Sequence, residues 1–293
     1  MPLQSKVTTT ILCAVILFFF QPNLSQSQAP TYQDIVYATV DGKDLKLDIY
    51  LPPDVKSPIF LVWVHGGAWK SGTKENLPKV FAQHGIAIAS LDFRQSTEAR
   101  FPAAVHDIKA AIRFLRAKAT EYGYKANRIA IGGASSGGHL AALVGVSNGN
   151  AQLEGTIGDY GKQSSRVDAI LDYFGASNLT NILEQSTPYG LSVRKPALEL
   201  LLGALPEGAP SLAKMASPVF YVDKNDPPLL MLHGDQDPQM PIDQSLELES
   251  RYKSLNLDVH LEVLHGAMHG GDAFFSGDKL KLALDFLNRT LKK

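Results

Sequence analysis

The chain has 293 residues, 45% hydrophobic and 19% charged, with a formal net charge of -1, which is enough length for one large core. That charge leaves no basic excess to neutralise a phosphate backbone, so no nucleic-acid partner is expected. The first element in chain order is a leader over 1–27: Lys6, a mostly apolar run over 7–20, then a polar segment rich in small residues over 24–29, the layout of a signal peptide. The apolar run is shorter than the roughly 20 residues a spanning helix needs. A secreted or periplasmic protein with no stable membrane anchor after leader removal is therefore expected. The only cysteine, Cys13, lies inside the leader, so the folded domain over 30–293 is predicted to hold together without disulfides.

Within that domain, 35–40 and 45–51 alternate apolar and polar residues on either side of Asp41-Gly42, which predicts an antiparallel hairpin. Short apolar runs follow at 59–64, 86–91, 128–131, 169–174, 229–232 and 259–264, the pattern of buried parallel strands. Helices are predicted between them at 76–84, around the stripe Val105, Ile108, Ile112 and Leu115, and at 138–146, 243–255 and 278–291. Strand and helix in that rhythm predict an α/β doubly wound, mostly parallel sheet. The rhythm breaks over 176–227, which is rich in Gly, Pro and Ser with a helical patch at 196–202, and this stretch reads as a cap-like insertion over the carboxyl edge of the sheet, where such sheets bind ligands.

The chemistry-bearing segments fall at strand ends. Gly133-Ala134-Ser135-Ser136-Gly137 fits Gly-x-Ser-x-Gly between a predicted strand and a predicted helix, a turn so sharp that only small residues fit beside the serine. Ser135 is the candidate nucleophile, and the Ser136 backbone N–H is a candidate donor to the oxyanion. His65-Gly66-Gly67-Ala68-Trp69 follows the strand at 59–64, and the N–H groups of Gly66 and Gly67 are further oxyanion candidates because glycine lets backbone approach a reacting oxygen closely. A serine hydroxyl needs a histidine base oriented by a carboxylate. The strand at 229–232 runs into a loop with Asp235 and Asp237, and the strand at 259–264 into one with His265 and His269. Residue type alone leaves both choices open. Trp69 and Met268 are candidates for the substrate pocket. No metal-ligand spacing and no dinucleotide or phosphate-loop motif is present, so neither metal nor cofactor is expected.

These segments, together with Tyr173-Phe174-Gly175, Ala216-Ser217-Pro218 and Pro227-Pro228, resemble the bacterial feruloyl-esterase-like (BD-FAE) α/β-hydrolases within the carboxylesterase and hormone-sensitive-lipase clan. The resemblance implies Asp237 as acid and His269 as base. It also implies hydrolysis of carboxylic esters through an acyl-enzyme, the substrates being short-chain acyl, acetyl or feruloyl esters, free or linked to polysaccharide. The elbow departs from the usual Gly-x-Ser-Ala-Gly at Ser136, and Asn178 stands where an Asp is common. Two other readings share these residues: a prolyl-oligopeptidase-like peptidase or amidase, and an inactive hydrolase fold used for binding.

Overall fold

The computed structural model describes residues 29–292 apart from positions 54 and 57; the expected leader lies outside the described residues. The chain opens with β1 (Tyr32–Val40) and β2 (Lys43–Tyr50), an antiparallel pair whose last partners are Val40 and Lys43. The intervening Asp41 and Gly42 both have positive φ, 50° and 78°, the mirror-image turn that matches strand twist. There follow β3 (Ile59–Val64), α1 (Val80–Gln83), β4 (Ile86–Leu91), α2 (Ala103–Lys118), β5 (Ile129–Ala134), α3 (Ser136–Val146), α4 (Ala151–Glu154) and β6 (Ala169–Tyr173). The segment over 176–227 carries α5 (Ile182–Gln185), α6 (Pro188–Leu202) and α7 (Pro210–Met215), after which β7 (Leu229–Gly234), α8 (Asp243–Ser254), β8 (Val259–Leu264) and α9 (Gly277–Leu291) complete the chain.

The strands form one eight-stranded sheet in the order β1-β2-β4-β3-β5-β6-β7-β8. It is parallel from β4 through β8, with the antiparallel hairpin on one edge. Strand alternation divides the core into two layers. Phe60, Val62 and Val64 of β3 face α2 and α3, whereas Leu61 and Trp63 face α1 and α9. On α9, Leu280, Ala283, Leu287 and Leu291 form the buried stripe, at spacings of a helix with one apolar face. From β3 the chain steps outward to β4 and then returns to the other side of β3 as β5. A crevice opens outside the carboxyl ends of β3 and β5 at such a reversal.

Four expectations need correction. The helix predicted over 76–84 is only α1, four residues long, because Pro78 disfavours helical backbone at the residue before it. The patch predicted over 196–202 is the end of the longer α6, which begins where Thr187 accepts a hydrogen bond from Gly190 N–H and Pro188 occupies the first turn, a start signal present in the sequence. The strand predicted over 128–131 runs on to Ala134, up to the serine. Finally, β8 is an edge strand, partly exposed along most of its length, rather than a buried one.

Candidate active site

Ser135 stands between β5 and α3 with φ 57° and ψ −123°, a left-handed conformation that costs a non-glycine residue on the order of 1–3 kcal/mol. The surrounding structure enforces it: the Ser135 N–H donates to the Tyr173 carbonyl at 2.8 Å. The flanking glycines leave the room, since a Cβ on Gly137 would lie 2.1 Å from the Val64 carbonyl oxygen and one on Gly133 2.3 Å from that of Gly137. The serine oxygen thus projects at the carboxyl edge of the sheet. Ser136 is the first residue of α3, so its N–H is among those that helix geometry leaves without an intrahelical acceptor.

Loops after β7 and β8 converge on this oxygen. The Ser135 hydroxyl donates to His269 Nε2 at 2.9 Å, and His269 Nδ1–H donates to Asp237 Oδ2 at 2.6 Å. The carboxylate fixes the tautomer: Nδ1 faces an acceptor and must carry the proton, leaving Nε2 free to receive one. Asp237 Oδ1 accepts the backbone N–H groups of Gln239 at 2.8 Å and Met240 at 2.9 Å. Beneath it, buried His233 presents Nε2 to the Met240 carbonyl at 3.0 Å and to Asp237 Oδ2 at 3.5 Å, while its Nδ1 accepts from Ser245 Oγ at 2.7 Å. Burial disfavours the Asp237 charge, but the hydrogen bonds from His233 and His269 outweigh it and hold the carboxyl well below the usual range. The Phe174 ring packs edge-on against the imidazole of His269 at 4.8 Å between centroids.

The loop after β3 forms the opposite wall. Gly67, Ala68 and Trp69 all have positive φ, at 126°, 53° and 60°, a tight left-handed turn whose closure is marked by Lys70 and Ser71 N–H groups donating to the Gly67 carbonyl. A Cβ on Gly67 would lie 2.0 Å from the Ser71 carbonyl oxygen. Gly66, Gly67, Trp69, Ser135, Ser136 and His269 all line one cleft of about 430 Å³, whose far side is Val193 and Arg194 of α6 and Gln239. A wider cavity of about 960 Å³ adjoins it, sharing Gly66, Gly67 and Ala134 and extending to Trp63, Glu75 and Phe275.

The structure therefore brings together Ser135, His269, Asp237, Gly66, Gly67, Ser136 and Trp69. Trp69 lines the cleft as a buried side chain: its indole Nε1–H donates to His139 Nδ1 at 2.9 Å, and His139 Nε2–H donates to the Ala216 carbonyl at 2.6 Å. Burial lowers the His139 pKa to about 4, so this tie between the loop after β3, α3 and the 176–227 segment is made by a neutral ring. Met268 lies outside the cleft, its side chain 59% exposed, because the loop that turns His269 inward leaves its neighbour on the outer surface. Asp235 and His265 pair with each other at 2.8 Å, away from the serine. Residue type alone did not single out His233, Phe174 or Arg194; the last arrives from a segment whose sequence carries no recognisable motif. Among the described residues there is no cluster of ligands suited to a metal ion, and no helix long and apolar enough to cross a membrane.

Comparison with known proteins places this geometry. Esterase LipC of Mycobacterium tuberculosis is 30% identical over 234 residues, 77% of this chain and 57% of LipC. This chain covers 53% of the related esterase LipQ from the same organism, so it spans little more than half the length of these relatives. Among solved structures, a truncated carbohydrate esterase from gut microbiota matches with a TM-score of 0.81 and 30% identity, covering 92% of this chain and 99% of that one. Thermophilic esterase Est2 from the planctomycete Thermogutta terrifontis matches with a TM-score of 0.71 and 28% identity, covering 89% of this chain and 92% of that one. The fold is that of the α/β-hydrolase esterases. The BD-FAE family profile matches residues 47–252, and the chain belongs to the BD-FAE family.

Proposed function

We propose that this protein is a serine hydrolase that cleaves carboxylic esters through an acyl-enzyme, with Ser135 as nucleophile, His269 as base and Asp237 as its orienting acid. The observation that carries this reading is the continuous pair of hydrogen bonds from Ser135 Oγ through His269 to Asp237. As Ser135 Oγ attacks the ester carbonyl, its proton passes to His269 Nε2, and the buried Asp237 carboxylate stabilises the imidazolium that forms. Backbone N–H groups of Gly66, Gly67 and Ser136 receive the developing oxyanion. His269 then returns the proton to the departing alcohol and activates a water that releases the acid.

For substrates, the cleft of about 430 Å³ suits a short acyl chain, acetyl, or a compact aromatic acid such as a feruloyl group. The adjoining cavity of about 960 Å³ leaves room for a bulky alcohol such as a sugar of a polysaccharide. Two likenesses support this range: the gut-microbiota neighbour is a carbohydrate esterase, and Est2 has been solved with propionate, with butyrate and phosphorylated by paraoxon. The leader pattern over 1–27 supports action outside the cytoplasm, and recovery of the full chain in the cytoplasmic fraction would overturn that part.

The test is hydrolysis of para-nitrophenyl esters from acetyl to decanoyl, plus a feruloyl ester, by the protein and by Ser135→Ala. Activity is expected to peak at short chains and to fall by about 10³-fold or more in the variant. Turnover that survives in Ser135→Ala, or a folded protein that neither cleaves any ester nor reacts with a fluorophosphonate, would sink the proposal.

A further inference from the structure

Among the described residues, the cations more than nine-tenths buried are Lys74, Lys109, Arg113 and Arg194. Burying a charge is costly unless it is paired, and the first three are: Lys74 with Asp48 at 2.8 Å, Lys109 with Glu154 at 3.1 Å and Arg113 with Glu154 at 2.7 Å. Arg194 has no carboxylate at ion-pair distance among the described residues. Its Nη2–H donates to the Gln239 carbonyl, but its buried Nε–H has no partner at all, although a guanidinium offers five donors in a fork shaped for a carboxylate. Asp237, whose charge acts on Arg194, already spends its oxygens on Gln239, Met240, His269 and His233. The unpaired cation is also the one that lines the cleft beside Ser135 and His269, and no Asp or Glu lines that cleft.

We propose that Arg194 takes its missing carboxylate from the substrate, so that this cleft favours esters bearing a carboxylate close to the scissile bond. The carboxylate can belong to the acyl part, as in the half-ester of a dicarboxylic acid, or to the alcohol, as in an acylated uronic acid. Either way the anion enters a cleft lined by Arg194 and Lys70 and by no carboxylate, where a charge-assisted contact supplies the anionic partner that Arg194 lacks. Arg194 is thus a specificity-determining residue within the esterase reading on which the proposal rests.

Binding to Ser135→Ala separates the two ideas, because it needs no turnover. Calorimetry compares monomethyl glutarate with dimethyl glutarate for the acyl arm, and an acetylated glucuronate with the matching acetylated glucose for the alcohol arm. In at least one arm the anionic member is expected to bind on the order of 10- to 100-fold more tightly, and adding Arg194→Gln should erase that ratio while Arg194→Lys keeps part of it. Equal affinities in both arms, or a preference that persists in Arg194→Gln, overturns the proposal. Should the Arg194 variants not fold, the ratio in Ser135→Ala alone still decides it. A merely structural brace on the Gln239 loop would instead lower turnover of para-nitrophenyl pentanoate and hemiglutarate alike, leaving their ratio unchanged. Absence of any ester turnover by the unsubstituted protein would count against the esterase reading and not against the binding result.

Discussion

The loop after β7 offers two acids and the loop after β8 two histidines, and the structure sorts them into two pairs of similar length and opposite character. His265 and Asp235 are joined at 2.8 Å, but the histidine side chain is 87% exposed. His269 and Asp237 are joined at 2.6 Å with side-chain exposures of 13% and 0%. The His265 hydrogen bond and the Gly266 N–H bring the Asp235 pKa down, in a setting where water and salt screen the pair and little is gained. Asp237 reaches its lowered pKa against burial, by collecting donors from two histidines and two backbone amides. An Asp–His contact is therefore not in itself a catalytic feature; what distinguishes the second pair is a dry setting, a fixed tautomer and a serine at the far nitrogen.

The sharpest way to break this comparison is to remove each histidine in turn. His269→Ala should lower kcat by about 10⁴- to 10⁶-fold, whereas His265→Ala should stay within about threefold of the unsubstituted enzyme on the same para-nitrophenyl ester. A comparable loss from both would dissolve the distinction. Next in size is the acid: Asp237→Asn should cost roughly 10³- to 10⁴-fold, because the amide favours the wrong tautomer of His269, with Asp235→Asn nearly silent in the same assay.

A smaller effect sharpens the point about donors. Asp172 on β6 is also buried, but it accepts only the Gly175 N–H, at 2.8 Å, on one oxygen and nothing on the other. Burial therefore dominates and raises its pKa to about 7. Its folded-state pKa lies above the unfolded value of about 4, so the stabilising contribution of the protonated form is complete below about pH 4 and is lost as pH rises through about 7. Thermal unfolding should find Asp172→Asn gaining on the unsubstituted protein between those limits. A difference in Tm that is flat with pH would refute this account.

Much of the fold was legible because its signals are local. Val64 ends a run of six apolar residues, Asp41-Gly42 is a turn dipeptide, and Gly133 and Gly137 bracket a serine where strand meets helix. The bounds that differ are also local in cause: Pro78 keeps Leu77 from helical backbone, and Thr187 caps α6 well ahead of 196. In the site, Ser135, Gly66 and Gly67 announced themselves by motif, but the assignment of Met268 to the pocket failed because no motif states which way a loop side chain points.

By itself, the sequence determined the alternation of strands and helices, the sharp turn that lifts Ser135, and the residue types available at each strand end, since periodicity and glycine placement act over a few neighbouring residues. Residue type left open which Asp and which His serve Ser135, a choice the family resemblance implied and the tertiary structure makes by contact, across 134 residues in the case of His269; only the tertiary structure brings Arg194 from α6 to the same cleft. Those outcomes depend on burial and on donors arriving from several loops at once, and such long-range competition between hydration and pairing leaves no trace in local sequence.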